Sequence, residues 1–363
     1  MPRRHWKVSR RPARFDRKPR ISGVAAVSYD LRVTDLLNEE TTSMQATRPF
    51  RFGVINETPL PRDAWIAHVQ RIEALGYDTF LIRDHFVPDF FGPQFAPIAA
   101  LATAAAVTTR LRVGTMVIDN DFRHPVVLAK EFATLDHLSG GRVELGIGAG
   151  WLCAEYDAAG MQYDRAGTRI DRMEEALAVI KGLFADGAYS FEGEHYAIRD
   201  LDSYPKPTQR PRPPILIGGG KPRVLRLAGR EADIVGILST SVASGTVENA
   251  PDERLAATVH EKLGWIREGA GDRYSEIELS LIPTLIPSAD RHASADALIA
   301  SNGWTGITPE DVLSMPSILI GTPDEMAETM LARRAEFGFT YYVVSDTEKE
   351  VFAEVAARLR ESS

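Results

Sequence analysis

A short apolar run, Thr79-Phe80-Leu81-Ile82, passes directly into three residues that can carry charge, Arg83, Asp84 and His85. An unperturbed histidine titrates near pH ~6.5, so it can take and release a proton in neutral solution, and an adjacent carboxylate suits the same acid–base work. Spacing alone leaves two readings open: a strand end with a surface ion pair, or the rim of an active site. A second stretch, Gly218-Gly219-Gly220-Lys221-Pro222-Arg223, places two cations where a helix begins. Glycine lets a ligand approach the backbone, and the first amides of a helix lack partners, so the stretch fits a phosphate or carboxylate. The other reading is a tight strand-to-helix turn with exposed Lys221 and Arg223. It is not a P-loop, since neither Ser nor Thr follows the lysine. In Gly146-Ile147-Gly148-Ala149-Gly150-Trp151 the third glycine of a dinucleotide fingerprint would fall on Trp151. The glycines there suit a flat ring system lying against a strand end, with Trp151 as a wall. The polar run 119–124 ends in His124-Pro125, where His124 shapes a helix entry. The eight histidines are scattered without metal-ligand spacing, no G-x-S-x-G elbow occurs, and Cys153 reads as a passive thiol.

These residues need a scaffold, and the pattern from residue 50 onward supplies one. Strands are expected at 50–56, 79–82, 111–118, 142–148, 213–220, 232–238, 277–283 and 340–345. Helices are expected at 61–75, 96–108, 125–139, 163–184, 222–229, 251–268, 322–337 and 347–360, with Pro61, Pro125, Pro222 and Thr322-Pro323 as start signals. Eight short apolar strands, each followed by a helix, predict parallel pairing and an α/β fold, a closed (β/α)8 TIM barrel, over a doubly wound open sheet. The connections 86–95, 185–212 and 284–316 are long enough to act as lids or binding elements, and 189–198 alternates like a hairpin around Glu192-Gly193. In such a barrel the site lies where strands end, so all three stretches above face one mouth.

Composition narrows the class. The chain has 363 residues, 44% hydrophobic and 25% charged, with no apolar run long enough to span a bilayer. One cysteine permits no internal disulfide, which points to a reducing, cytoplasmic setting. Residues 1–20 hold nine Lys or Arg against the single acid Asp16, while the whole chain carries −8. Residues 1–47 therefore read as a basic, disordered extension without a secretory segment, with Met44 as an alternative start, and 48–363 as one barrel domain. The acidic body argues against nucleic acid as a partner.

The segments GYDTFLIRDHF, TTRLRVGTMVI, HPVVLAKEFATLDHLSGGRVELGIGAGW and PPILIGGGKPRVLRLAGREADIVGI, in this order, resemble the luciferase-like monooxygenase superfamily. The nearer resemblance is to its coenzyme F-420-dependent oxidoreductases. It implies a barrel that binds F-420, or alternatively FMN, at the strand ends. Asp84 would meet the edge of the deazaflavin ring, and His85 would be the general acid/base. A non-proline cis peptide within Gly114–Val117, where Thr115 and Met116 lie, would buttress the ring. Ala149, Gly150, Gly218, Gly219, Gly220, Lys221, Arg223 and Val224 would contact the cofactor and its phosphate. The resemblance also implies a homodimer, and a partner reductase if FMN is used. The chain departs from the sugar-phosphate dehydrogenases of that group at Asp89, Trp151 and Ala154, where they carry Trp, Glu and Asn. Sugar-phosphate oxidation is therefore not carried over. Glu155 matches without an assigned role. Phe90, Phe91 and Trp151 are expected to wall an apolar substrate pocket. Three activities remain: an F-420-dependent oxidoreductase acting on a small, fairly apolar molecule, an FMN-dependent monooxygenase, and a flavin-binding barrel without catalysis.

Overall fold

Every side chain of Thr79–Ile82 is buried. A strand buried on both faces needs a partner sheet on one side and a packed interior on the other, which a parallel barrel wrapped in helices provides. The computed structural model describes residues 48–88, 91–243 and 246–361. The expected basic extension, Asp89 and Phe90 lie outside the described residues.

Eight parallel strands close the ring: β1 (Arg51–Asn56), β2 (Thr79–Ile82), β3 (Arg112–Thr115), β4 (Val143–Gly148), β5 (Ile215–Gly219), β6 (Ile234–Ile237), β7 (Glu278–Leu281) and β8 (Phe339–Ser345). Each pairs with its neighbour, β8 pairs with β1, and no open edge remains in the barrel. The outer layer is α1 (Arg62–Ala74), α2 (Pro97–Ala106), α3 (Pro125–Ser139), α4 (Ala166–Phe184), α5 (Pro222–Glu231), α6 (Ala256–Ala270), α7 (Pro323–Phe337) and α8 (Lys349–Glu361). Local chemistry sets their ends. His124 accepts from the Val126 amide to cap α3, and Gly140 stops that helix in the left-handed conformation. Thr322 and Glu325 form a reciprocal capping box on α7. Among the described residues no helix is long and apolar enough to cross a membrane.

Strand alternation divides the core in two. Val54, Phe80, Ile217, Val235, Leu279 and Val344 pack outward beneath the helices. Ile55, Leu81, Leu216, Ile234, Tyr341 and Val343 fill the bore, with Met116 and Val117 against them. The bore is closed at its N-terminal end by charge. Glu144 is 1% exposed, pairs with Arg51 and Arg112, and accepts from the Tyr341 hydroxyl at 3.2 Å and the Thr79 hydroxyl at 3.3 Å. Burial pushes the Glu144 carboxyl up, but Arg51 and Arg112 together outweigh it and hold it below the usual range. Glu278, paired with Arg51 at 2.7 Å, goes the other way, because burial outweighs the attraction of Arg51.

Two connections differ from expectation. The segment after β7 is not a loop. It carries strands Thr284–Pro287 and Ile318–Gly321, paired in parallel, and helices Arg291–Asn302 and Pro309–Ser314. These helices pack Ala295, Trp304, Val312 and Met315 into a small core of their own. The first buries only Ala295, so its sequence lacks the apolar stripe that marks a helix. Second, a helix at Cys153–Ala159 follows β4. The hairpin expected near 189–198 is present as Tyr189–Glu192 paired with Ala197–Leu201.

Candidate active site

The three residues after β2 fan out because each follows a different local demand. Arg83 continues the alternation into the bore. Its guanidinium pairs with Glu57, just past β1, and lies 4.1 Å over the Phe91 ring. The other Glu57 oxygen accepts from Ser345, at the end of β8, at 2.6 Å. Burial, the largest influence, draws the Arg83 pKa below its usual value although Glu57 opposes it. Asp84, 4% exposed, turns toward β3, where Arg123 grips both its oxygens and the Asp119 amide donates at 3.2 Å. His85 turns toward the helix Cys153–Ala159. Its Nδ1 lies 2.8 Å from Glu155 Oε2, while Glu155 Oε1 accepts the amides of Phe86 at 2.6 Å and Val87 at 3.1 Å. An oxygen that faces Nδ1 accepts its proton, which leaves Nε2 as the nitrogen available for proton exchange. Phe91 and Trp151 wall the imidazole at ring-centre distances of 5.2 and 6.0 Å.

A second polar group sits behind Asp84. Tyr156, adjacent to Glu155 on the same short helix, donates its hydroxyl to Asp119 at 2.8 Å, and the Asp121 amide donates to Asp119 at 2.9 Å. Arg172 of α4 pairs with Asp121 at 2.9 Å and with Asp164. Burial dominates at Asp119 and pushes its carboxyl up to about 7, against the hydrogen bonds from Asp121 and Tyr156. An open cleft of about 390 Å³ adjoins this group, lined by Asp121, Tyr156, Met161, Gln162, Asp164 and Arg172.

The glycines expected to seat a ligand divide by role. A Cβ on Gly146 would lie 1.9 Å from the Thr115 carbonyl, and one on Gly148 would lie 2.8 Å from Val117. These two glycines admit the bend of β3, where the Met116–Val117 peptide is cis, within the expected window. Thr115 is fully buried and donates to the Gly146 carbonyl at 2.7 Å, so its hydroxyl joins β3 to β4. Gly150 has φ +72, and a Cβ there would strike the Tyr156 hydroxyl at 2.0 Å. The carbonyls of Ala149 and Gly150 accept from Arg169 of α4 at 3.0 and 3.2 Å. Gly219 makes room for Val224, which would lie 2.4 Å from an added Cβ, and so seats α5 on the barrel. Gly218 is different: it is half-buried, and an added Cβ would meet only a carbonyl at 3.9 Å. Gly220 is buried, with only ordinary contacts to Leu238 and Thr240 around an added Cβ. Lys221 and Arg223, both about half exposed, pair with Glu253 at 2.6 Å and with Asp171.

The barrel reading sent Asp84, His85 and Trp151 to one mouth, and Phe91 was expected to wall a pocket with Trp151; the structure brings these residues together. It did not connect His85 to Glu155, Asp84 to Arg123, or Asp119 to Tyr156, which are pairs separated by 70, 39 and 37 positions. One local signal was available for Glu155 and Tyr156: helix-favouring residues closed by Gly160, which is left-handed.

The model of the family described as luciferase-like monooxygenase matches residues 46–262. An F-420-dependent glucose-6-phosphate dehydrogenase of Microbacterium testaceum is 31% identical over 293 residues, 76% of this chain and 84% of that protein. An FMNH(2)-dependent dimethylsulfone monooxygenase of Pseudomonas putida is 28% identical over 285 residues, 73% of this chain and 78% of that protein. An F-420-dependent secondary alcohol dehydrogenase, solved with an F-420–acetone adduct, superposes with a TM-score of 0.64 at 20% identity, over 85% of this chain and 99% of that one, a likeness of fold. The closed barrel, its charged strand ends and a family match across more than half its length agree: this chain belongs to the luciferase-like monooxygenase family.

Proposed function

We propose that the protein is an oxidoreductase that uses coenzyme F-420 for hydride transfer to or from a small, fairly apolar organic substrate, with His85 as the proton-transferring residue. The observation that carries this reading is the His85–Glu155 pair at the barrel mouth, 2.8 Å apart and faced by Phe91 and Trp151.

The residues present suit the cofactor. The start of α5 has no side-chain cap among the described residues, so the amides of Arg223 and Val224 can hold a phosphate, with Lys221 and Arg223 beside them. Met116, packed against the bore residues, offers surface for a flat ring, and Asp84 stands at its rim. When bound, the deazaflavin supplies the hydride chemistry. His85 exchanges the accompanying proton at Nε2. Glu155 is a positioning residue: its carboxylate, anchored by two backbone amides, fixes the imidazole's tautomer and orientation. The Arg123 clamp fixes the Asp84 carboxylate in the same way. Phe91 and Trp151 exclude water from the imidazole and present an apolar surface to substrate.

Titration of the purified protein with F-420 and with FMN, followed by fluorescence, tests the reading. Micromolar or tighter F-420 binding is expected. Submicromolar FMN affinity with no F-420 binding would overturn it in favour of an FMN-dependent monooxygenase.

A further inference from the structure

Inward-facing residues along β5, β6 and β7 grow more exposed toward the mouth. Leu216 and Ile234 are 1% and 2% exposed, Gly218 and Gly236 are half-buried, and Leu238 and Ile282, one residue past their strands, are 36% and 39% exposed. Gly218 and Gly236 lie side by side in register. Among the described residues a Cβ on Gly236 would meet only the Gly218 Cα at 3.7 Å, and one on Gly218 only the Gly236 carbonyl at 3.9 Å, so no described side chain lies within 4 Å of either position. The next position across the sheet from Gly236 is Ser280. It is 1% exposed, and its buried hydroxyl has no hydrogen-bond partner among the described residues. A buried hydroxyl is ordinarily paired, so one that lacks a protein partner beside an open space points to a ligand. The side chains named along this space, Leu216, Ile234, Leu238, Ser280 and Ile282, carry no charge, and Glu278, beside Ile234 at the floor, is paired with Arg51. The opposite side of the mouth, on β1, β2 and β8, carries Glu57, Arg83 and Ser345.

We infer that the glycine-lined space between β5 and β7 is the lobe that selects the substrate. It takes a bulky, neutral aliphatic or alicyclic group over Leu216 and Ile234, between Leu238 and Ile282, with Ser280 donating to one neutral oxygen. This assignment rests on the F-420 reading and deepens it. It separates the substrate body from the proton-transferring side of the mouth. It also excludes a sugar phosphate, whose dianion would enter a wall that offers it no cation.

Calorimetric binding of cyclohexanone, 4-tert-butylcyclohexanone and glucose 6-phosphate, with and without saturating F-420, tests the lobe. Three proteins are compared: wild type, Gly236→Val and Leu238→Glu. Leu238 is exposed, so its variant keeps the fold if Gly236→Val does not. The bulky ketone is expected to bind the wild type more tightly than cyclohexanone, and glucose 6-phosphate more weakly than either. Gly236→Val should lose tenfold or more for the bulky ketone and less than threefold for cyclohexanone, with F-420 affinity unchanged. Leu238→Glu should weaken both ketones. The lobe is overturned if both variants bind the bulky ketone like wild type, if no ketone binds wild type, if glucose 6-phosphate binds best, or if Gly236→Val costs F-420 tenfold. Absence of F-420 binding by wild type would instead defeat the cofactor reading, while the ketone measurements without F-420 still judge the lobe.

Discussion

The two ends of the barrel bore use similar residues for opposite purposes. At the N-terminal floor, Arg51, Arg112, Glu144 and Glu278 form a sealed cluster beneath Tyr341, and Glu144 is 1% exposed. At the C-terminal mouth, Arg83, Asp84, His85, Arg123 and Glu155 also pair, but the atom proposed to exchange a proton, His85 Nε2, has no hydrogen-bond partner among the described residues. The floor closes the bore, and the mouth holds the group proposed to react. Barrels of this kind place stability at one end and chemistry at the other, and here Glu144 at the floor is paired on both oxygens, by Arg51 and Arg112 and by the Tyr341 hydroxyl.

That contrast can be broken from either end. Glu144→Ala should be the largest perturbation of the fold. It leaves the part-buried Arg51 and Arg112 without their shared carboxylate and the buried Tyr341 and Thr79 hydroxyls without an acceptor, a loss of about 2–4 kcal/mol measured by urea unfolding. Turnover per folded molecule should stay near wild type, and a floor variant that kept its stability would dissolve the contrast. His85→Ala should do the reverse. Removal of a general acid/base lowers kcat by about 10²–10⁴-fold, with the melting temperature close to wild type; unchanged turnover would remove His85 from the mechanism. Glu155→Gln keeps the shape but lets the amide present either end to the imidazole, so kcat should fall by roughly tenfold or more, with a shifted pH–rate profile. An unchanged profile would make Glu155 purely structural.

Asp119 sharpens the comparison, because it is a mouth residue buried like a floor residue but with no cation on its own carboxylate. Its folded pKa is raised from 3.8 to about 7, chiefly by burial, with Asp84, Asp121 and Tyr156 facing it. Between these values the folded state holds a proton that the unfolded state has released. The associated stability is complete below pH ~4 and is lost as pH rises through about 7. Asp119→Asn should flatten this decline by on the order of 1–3 kcal/mol, read from urea unfolding at several pH values. An equal slope in both proteins would show that the group is not buried in solution. The smallest effect on stability is expected at Arg223→Ala, since its half-exposed pair with Asp171 contributes under ~1 kcal/mol. F-420 affinity should nevertheless fall by roughly tenfold, as for loss of a charge-assisted hydrogen bond. Unchanged affinity would remove Arg223 from the phosphate site.

Much of this was legible in the sequence because it depends on near neighbours. Periodicity, proline starts and glycine stops mark the eight strands and their helices, and barrel geometry then sends Asp84, His85 and Trp151 to one mouth. The helices at Arg291–Asn302 and Pro309–Ser314 were not legible, since they bury small or scattered residues against each other and leave no stripe. Single glycines also carried less meaning than their clusters suggested. Gly146, Gly150 and Gly219 are glycine because another part of the chain occupies the space of a Cβ, whereas Gly218 and Gly236 face open space.

The sequence by itself determined the order of the eight barrel strands and their eight outer helices, the closed barrel and the residues available at each strand end, because these follow from periods of two and 3.6 residues. Only the tertiary structure decided which charges neutralise one another. Glu155 reaches His85, and Arg123 reaches Asp84, across 70 and 39 positions. Closure of the ring, not any local preference, brings those strand ends within hydrogen-bonding distance.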